Sequence, residues 1–378
     1  MEALLRASPG FLSAEDLLEQ VWDEQADPFT NTVTVTIGRL RRKLGDPPVV
    51  TTTPASATAS PDQSTSTARL HAVSPPDLLP RDTQTAYSLG MDRVGVIGLG
   101  KMGLPIATNL MDRGFAVIGY RRSGSPELAA AGGIVAASPA EVADAADVLL
   151  SIVPDAEAVE EVITGPDGTL KQLRPGTIHL EMSTIDVPRK ARLRDEVQAR
   201  GGDLLDCPIS GSPGMVAPRL ATTFASGDQD SVDAVAKVLD AISGPWVYTG
   251  AFGTGAQLKY IANLLLAVHT VAAAEAMALA RRSGLDLDLV QRTLDTSIAS
   301  SAIWTQRGPL MAERRYDPAP GPVRTLHPIL EQIADHAGRT GLTAPVFTAA
   351  KEIFDQALAD GHGDLDIACV HDQIAGAQ

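Results

Sequence analysis

The sequence is poor in aromatic residues and in cysteine, and its charge is strongly unbalanced. Aromatic residues make up 4% of the 378 positions, and the two cysteines, Cys207 and Cys369, lie far apart. Two distant cysteines cannot build a disulfide framework or a zinc cluster, so we expect a protein of the reducing cytoplasm. The formal net charge of −15 repels phosphate groups and anionic lipid. This argues against a nucleic-acid-binding protein and against adhesion to a membrane.

Segments that target or anchor a protein are also scarce. Residues 1–11 lack the basic start, apolar run and cleavage site of a secretory signal, so we do not expect secretion. Residues 261–280 have about the length and apolar content of a membrane span. Because Asn263, His269 and Glu275 interrupt this stretch, we predict a long buried helix and no membrane contact.

The composition changes abruptly over residues 51–90, where Thr, Ser, Pro and Ala supply 25 of the 40 residues. A segment without periodic apolar positions cannot offset its chain entropy by burial. We therefore predict a disordered linker over residues 51–90, which divides the chain into a short N-terminal part and a larger C-terminal part.

Sequence patterns in the N-terminal part predict two helices, one capped near Ser13 and one over residues 31–44. Basic residues cluster near the end of the second helix, and a basic helix after a short turn suits a DNA major groove. Residues 1 to about 49 resemble the winged-helix DNA-binding domains of two-component response regulators. That family places a sheet before these helices and a β-hairpin wing after them, whereas residues 49–54 here are expected to run into the linker. We expect a non-functional remnant or a misassigned start upstream of Met91, with DNA binding as the alternative.

The larger part begins with an apolar strand over residues 93–97 that leads into a glycine-rich loop. The loop contains Gly98, Leu99, Gly100, Lys101, Met102 and Gly103. In such a loop the first glycine permits a tight turn, the second lets a pyrophosphate approach the backbone, and the third lets the next helix pack closely on the strand. Because the glycines stand between a strand and a helix, the pattern predicts a dinucleotide-binding site rather than a simple turn.

The second strand, residues 116–120, is expected to end beside the ribose of the cofactor. An acidic residue there would accept the 2′-hydroxyl of NAD, but the sequence has Arg121, Arg122 and Ser123. These side chains suit a 2′-phosphate, so we predict NADP, with NAD as a possible cofactor. The alternative is that two exposed arginines only solvate a turn.

Further apolar stretches at residues 146–154, 177–182 and 203–206 alternate with helical stretches. This alternation predicts a doubly wound α/β Rossmann domain, with functional loops at the carboxyl ends of parallel strands. Val153, Pro154, Ser183 and Thr184 are expected at such ends.

A second pair of glycines, Gly253 and Gly255, precedes the long apolar helix. Lys259 and Asn263 are four residues apart, so both project from one face of that helix. A lone lysine on an apolar helix is normally a snorkelling surface residue. At the start of a helix beside a nucleotide fold, however, its ammonium could protonate a carbonyl oxygen.

Taken together, residues 91 to about 374 resemble the β-hydroxyacid dehydrogenase family, which includes 3-hydroxyisobutyrate dehydrogenases and the tartronate, glyoxylate and succinic semialdehyde reductases. Four motifs occur in the order of that family. They are the glycine loop of residues 98–105, Met182-Ser-Thr184, the substrate loop of residues 206–212, and Gly253-x-Gly255-x-x-x-Lys259-x-x-x-Asn263. The resemblance implies a Rossmann domain over residues 91–254, an all-α substrate and dimerisation domain over 255–378, and a partial winged-helix fragment over 1–50.

The resemblance also implies roles for individual residues. Lys259 would be the general acid/base, and Asn263 would bind substrate or hold the lysine. Ser183, Ser210 and Gly211 would bind a small hydroxy acid or aldehyde, while Val153, Pro154 and Thr184 would line the cofactor. Capping and turn formation are the alternative roles for the serines and Gly211. An unperturbed lysine is protonated at neutral pH, so we expect reduction to be the easier direction. A homodimer is expected, and no metal.

The sequence departs from the family pattern at two places. Ser212 stands where a second glycine is usual, and residues 215–220 lack the usual Gly-Ala. Pro328, Ile329 and Leu330 occupy the place of the family's Lys-Asp-Leu, with His327 and Glu331 on either side as possible substitutes. Two other functions therefore stay open, a DNA-binding regulator that senses NADP and an NADP-binding protein with degraded catalysis.

Overall fold

The computed structural model describes residues 92–376 and, before them, only the backbone of three short strands. These strands are β1 (Leu12–Ser13), β2 (Val50–Thr53) and β3 (Arg69–Ala72). β3 pairs antiparallel with both β1 and β2. They belong to a unit separate from Tyr87–Gln378. The helices predicted for the N-terminal part and most of the predicted linker lie outside the described residues.

The β2–β3 pair includes seven residues of the predicted linker over residues 51–90, and the linker itself stays a prediction. Val50 pairs with Ala72 and Thr53 pairs with Arg69, so a hairpin-like pair stands where the sequence was expected to run on without a wing. The reason is local, because β2 consists of β-branched residues, which favour extended backbone.

A nine-stranded sheet forms the first half of the larger unit. Its strands are β4 (Arg93–Ile97), β5 (Ala116–Tyr120), β6 (Ile134–Val135), β7 (Val148–Ser151), β8 (Ile178–Glu181), β9 (Asp203–Asp206), β10 (Ile209–Ser210), β11 (Thr222–Ser226) and β12 (Trp246–Gly250). Six parallel strands run in the order β6-β5-β4-β7-β8-β9, and β11 joins β9 antiparallel. This is the strand order of a Rossmann fold, and the predicted fold class is confirmed.

The central strands are almost wholly buried because helices cover both faces of the sheet. All four residues of β7 are buried, as are four of the five in β4. Serine or aspartate side chains cap several of the covering helices, among them Ser138, Asp155 and Asp186. The helices are α1 (Gly103–Asp112), α2 (Pro126–Ala130), α3 (Pro139–Ala145), α4 (Ala156–Thr164), α5 (Val187–Ala199), α6 (Pro213–Val216), α7 (Gln229–Ala234) and α8 (Ala236–Ile242), with a 3-10 turn at Thr169–Lys171.

The second half of the unit is helical and is organised around one long helix, α9 (Thr254–Arg282). The others are α10 (Leu287–Asp295), α11 (Ala302–Glu313), α12 (Val323–Thr340), α13 (Pro345–Ala359) and α14 (Val370–Ala375), with 3-10 turns at His362–Asp364 and Ile367–Cys369. α9 packs against all five of these helices and also against β11 and β12. Its length and hydropathy would allow a membrane span, and 44% of its apolar window is buried inside the fold. The expected absence of membrane contact stays a prediction.

Candidate functional site

The glycine loop connects β4 to α1 and leaves open space at the start of that helix. Gly98 has φ +100°, and a Cβ there would collide with the carbonyl oxygen of Ile152. A Cβ on Gly103 would collide with the carbonyl oxygen of Gly98, whereas one on Gly100 would meet no atom within 4 Å. The Leu104 amide donates to the carbonyl oxygen of Gly100 at 3.1 Å and Pro105 has no N–H, so the start of α1 offers an anion the Gly103 amide and the positive end of the helix dipole. The loop therefore fits the pyrophosphate of a dinucleotide.

The residues predicted to contact the 2′ position lie at the carboxyl end of β5. Gly98 donates a hydrogen bond to the carbonyl oxygen of Tyr120 at 3.0 Å, which places this end beside the glycine loop. Arg121, Arg122 and Ser123 are exposed, and within residues 92–376 neither arginine forms an ion pair. Their charges are therefore available to a phosphate.

The loops after β7 and β8 are joined by a hydrogen bond. The Val153 amide donates to Ser183 Oγ at 2.9 Å, and Ser183 is buried. Pro154 is exposed and Thr184 is half-buried at the same edge of the sheet. The structure thus brings these four residues together, as expected for parallel strands whose carboxyl ends share one edge.

Lys259 lies in the second turn of α9 and is 9% exposed. Burial lowers the pKa of its ammonium from 10.5 to about 8. Within the described part of the chain the ammonium has neither an ion-pair partner nor a hydrogen-bond acceptor. The assumption of an unperturbed pKa is therefore wrong, because the lysine is desolvated without a compensating carboxylate.

Asn263 follows Lys259 by one turn and is 5% exposed. Its Nδ2 is buried and has no hydrogen-bond partner among the described residues. A buried amide donor without a partner costs free energy, so such a group is informative about function. The two residues together present a titratable amine and an unused amide donor on one face of α9.

Sequence reasoning missed a buried charged bridge, made of Glu181, Lys190 and Asp206. The Lys190 Nζ lies 2.7 Å from Glu181 Oε2 and 2.7 Å from Asp206 Oδ1, and all three side chains are 0% exposed. The two carboxylates raise the pKa of Lys190 above its ordinary value and outweigh the desolvation. No local sequence pattern marks Lys190, because it lies on α5 whereas Glu181 and Asp206 lie on the strands β8 and β9.

The substrate loop lies between β9 and β11. Ser210 is half-buried at the end of β10, and Gly211 is exposed beside it. A Cβ on Gly211 would lie 2.8 Å from that of Ala221, so the loop turns back closely on itself. β10 contacts α9, so this loop borders the helix that carries Lys259.

α12 brings residues to the site that the sequence did not suggest. Gln332 Nε2 donates to the carbonyl oxygen of Thr184 at 3.3 Å, and the ring of His336 lies 5.4 Å from that of Tyr260. Pro328 lies one turn before Gln332 in the same helix. The helix that carries Pro328-Ile329-Leu330 therefore packs on the loop that follows Ser183.

His327 and Glu331 are engaged with α13. His327 Nε2 lies 2.9 Å from Asp355 Oδ1, and Lys351 Nζ lies 2.6 Å from Glu331 Oε1. His327, Glu331 and Asp355 could be grouped as metal ligands by distance, but the Lys351 ammonium already contacts both carboxylates. We assign no metal to this cluster, and the two residues are committed to helix packing.

Family models match both halves of the larger unit and the N-terminal part. The NAD-binding domain of 6-phosphogluconate dehydrogenase matches residues 93–250, and the NAD-binding domain of NADP-dependent 3-hydroxyisobutyrate dehydrogenase matches residues 253–372. The C-terminal domain of transcriptional regulatory proteins matches residues 1–55.

Two dehydrogenases are among the curated relatives of the chain. The chain is 33% identical to L-threonate dehydrogenase of Cupriavidus necator over 280 residues, which cover 73% of this chain and 94% of the relative. It is 37% identical to mitochondrial 3-hydroxyisobutyrate dehydrogenase of Mus musculus over 230 residues, 60% of this chain and 66% of that enzyme.

A solved structure of 3-hydroxyisobutyrate dehydrogenase from Salmonella typhimurium is also similar. It matches with a TM-score of 0.69 and 29% identity, and the match covers 74% of this chain and 99% of that one. The glycine loop lies within residues 93–250, and Lys259 and Asn263 lie within residues 253–372, the two ranges that the dehydrogenase family models match.

Proposed function

Because the chain belongs to the β-hydroxyacid dehydrogenase family of NAD(P)-binding oxidoreductases, we propose that it transfers hydride between NADP and a small hydroxy acid or semialdehyde. Lys259 is proposed as the general acid/base. The observation that carries this proposal is a buried ammonium with a pKa of about 8 beside the Asn263 amide, neither of which has a partner within residues 92–376. Such a pair suits the oxygen of a carbonyl or carbinol substrate.

In the proposed reaction the cofactor and the protein have different tasks, transfer of the hydride and transfer of the proton. A bound nicotinamide supplies or accepts the hydride. In reduction, Lys259 gives a proton to the oxygen that gains negative charge, and in oxidation the neutral amine removes the proton from the hydroxyl. A pKa near neutral pH allows both roles, so the preference for reduction expected from an unperturbed lysine is smaller here.

The substrate is proposed to be bound by Ser183, Ser210 and Gly211 through its carboxylate or hydroxyl. The Ser183 hydroxyl already accepts from Val153, so it retains its own proton to donate. Pro328 and Ile329 offer no charge where the family has lysine and aspartate, which favours a substrate without a second anionic group on that side.

NADP is proposed as the preferred cofactor. Arg121 and Arg122 are exposed, form no ion pair within residues 92–376 and stand at the end of β5, where an acidic residue would select NAD. Thr184 is proposed to line the cofactor together with Val153 and Pro154.

We also propose that the protein forms a homodimer and is located in the cytoplasm. α9 exposes apolar side chains at helical spacing, namely Leu258, Ile261, Leu265 and Leu279, with exposed fractions from 36% to 67%. Both cysteines are unpaired and buried, which supports a reducing compartment.

The experiment is a screen of small aldehydes and 2-keto acids for NADPH oxidation by the full chain and by a chain that starts at Met91. We expect turnover by both, and Lys259→Ala should abolish turnover while NADPH binding remains. Near-normal turnover by this variant would remove Lys259 from the mechanism.

A second candidate function rests on the match of residues 1–55 to regulatory DNA-binding domains. In this case the nucleotide-binding part would sense NADP for a DNA-binding regulator. Salt-dependent retardation of DNA by the full chain, but not by the chain that starts at Met91, would support this function.

A further inference from the structure

The charged bridge of Glu181, Lys190 and Asp206 links the loop of Ser183 to the helix of Lys259. At one end, the Ser183 amide donates to Glu181 Oε1 at 2.9 Å. At the other end, the Ala256 amide, in the first turn of α9, donates to Asp206 Oδ2 at 2.8 Å. Between them Lys190 contacts the second oxygen of each carboxylate. A continuous chain of short contacts therefore connects the two elements of the site.

A contribution to stability does not by itself explain why these three charged residues are buried together. Burial of three charges carries a large desolvation penalty, and well-packed apolar residues in such positions are often as stabilising. The chain contains another buried ion pair, Arg307 with Asp366, at 3.0 Å. The Asp366 carboxylate accepts from the Gly321 and Ala368 amides, so this second pair touches no proposed site residue.

The start of α9 is seated directly on the sheet at the end of the bridge. A Cβ on Gly255 would lie 2.6 Å from the carbonyl oxygen of Phe224 and 2.9 Å from that of Asp206. Ser226 Oγ accepts from the Gly255 amide at 3.1 Å and hydrogen-bonds to Asp206 Oδ2 at 3.0 Å. The carboxylate also faces the positive end of the dipole of a 29-residue helix. Movement of Asp206 would therefore move the first turn of α9 and, with it, Lys259 in the second turn.

We propose that Lys190 is a positioning residue, which holds Glu181 and Asp206 together and thereby sets the distance between Ser183 and Lys259. A substrate anchored at Ser183 then presents its oxygen to the Lys259 ammonium. This inference rests on the proposed function, in which these two residues contact substrate. A lysine is required because a neutral residue would leave two carboxylates buried side by side, which repel each other.

The test compares Lys190→Met with Arg307→Met as a matched loss of a buried cation. We expect both variants to lower the melting temperature. Only Lys190→Met should lower kcat, by about 10- to 100-fold, because a displacement of about 1 Å is sufficient for such a loss. NADPH affinity should fall much less than kcat in Lys190→Met and should stay unchanged in Arg307→Met, since the bridge does not touch the glycine loop and reaches the proposed cofactor-lining residues only through Ser183. Glu181→Gln and Asp206→Asn provide milder versions of the same change if Lys190→Met does not fold.

A double-mutant cycle separates positioning from a general loss of structure. If the bridge connects the two elements, Ser183→Ala should lower kcat/KM much less in the Lys190→Met background than in the wild-type background. Additive effects, or an equal loss of kcat in Arg307→Met, would overturn the proposal.

Hydrogen exchange gives a readout that does not depend on turnover. In Lys190→Met the peptides that contain the Ser183 and Ala256 amides should both exchange faster, and in Arg307→Met neither should. If the wild-type chain reduces no carbonyl compound, the proposed function fails, and this exchange result still decides whether the bridge couples the two elements. Unchanged exchange at both peptides would overturn the coupling.

Discussion

Lys259 combines burial with the absence of a counter-ion among the described residues, and this combination determines how its charge depends on pH. Its pKa of about 8 is set by desolvation alone. In the proposed mechanism the protonated form, which predominates below pH 8, donates in reduction, and the neutral form, which predominates above pH 8, accepts in oxidation. We expect kcat/KM for carbonyl reduction to fall above pH 8 and kcat/KM for alcohol oxidation to rise up to pH 8, each with a slope of one. Steady-state kcat/KM values across pH 6 to 10 measure both limbs, and a kcat/KM for reduction that stays flat to pH 10 would contradict the assignment.

The same burial predicts a gain in stability when the charge is removed. A lysine whose pKa is lowered by folding destabilises the folded state. This loss of stability is fully present below the folded pKa of about 8, and it disappears as the pH rises through the unfolded value of 10.5. We expect Lys259→Met to be inactive but more stable at pH 7, by on the order of 3 kcal/mol at 1.36 kcal/mol per pKa unit. Denaturant unfolding at pH 7 and pH 10.5 measures the difference, and Lys237→Met, at an exposed lysine, serves as control. Equal stability of Lys259→Met and wild type at pH 7 would show that the amine is solvated.

The proposed preference for NADP can be tested by substitution of Arg121 and Arg122. A charge-assisted hydrogen bond to phosphate is worth about 1.5–3 kcal/mol, so the double variant Arg121→Ala/Arg122→Ala should raise KM for NADPH by about 10- to 100-fold or more. KM for NADH should change little, because NADH lacks the 2′-phosphate. Arg315→Ala, on an exposed arginine of the helical half, should leave both constants unchanged. A wild-type preference of tenfold or more for NADH would refute NADP as the cofactor.

At the level of single elements, local patterns predicted the strands and missed the contacts between them. The predicted bounds of β4, β5 and β9 agree with the structure, because each is a short apolar run closed by polar or glycine residues. The β2–β3 pair and the charged bridge could not be predicted, since each joins residues that are distant in sequence. Lys190 in particular has its partners 9 and 16 residues away, on two different strands.

The contact between α12 and the loop after β8 is a further element that sequence patterns could not reveal. Gln332 Nε2 forms the hydrogen bond to Thr184, and the Gln332 Oε1 is buried without a partner among the described residues. We expect Gln332→Ala to raise KM for the carbonyl substrate several-fold and to lower the free energy of unfolding by about 1 kcal/mol, as one hydrogen bond is lost. Gln356→Ala removes an exposed hydrogen bond to Asp360 on α13 and is the matched control. A loss of stability without a change in KM would limit Gln332 to packing.

At the scale of the whole molecule, the exposed apolar side of α9 predicts a second copy as its partner. The opposite side of this helix carries Lys259 and Asn263 and is buried, whereas Leu265 and Leu279 are 47% and 67% exposed. A charge introduced into an apolar interface must be desolvated without a partner, which strongly disfavours association. We therefore expect Leu265→Asp and Leu279→Asp to convert a wild-type dimer into a monomer.

Sedimentation equilibrium measures this change directly, as a mass that falls from twice the chain mass to the chain mass. Leu220→Asp alters an apolar residue of similar exposure outside α9 and should leave the dimer intact. If the monomeric variants keep full kcat and KM, each chain contains a complete site. If kcat falls while NADPH still binds, the packing of α9 against its partner contributes to the placement of Lys259. A wild-type chain that sediments as a monomer would contradict the predicted interface.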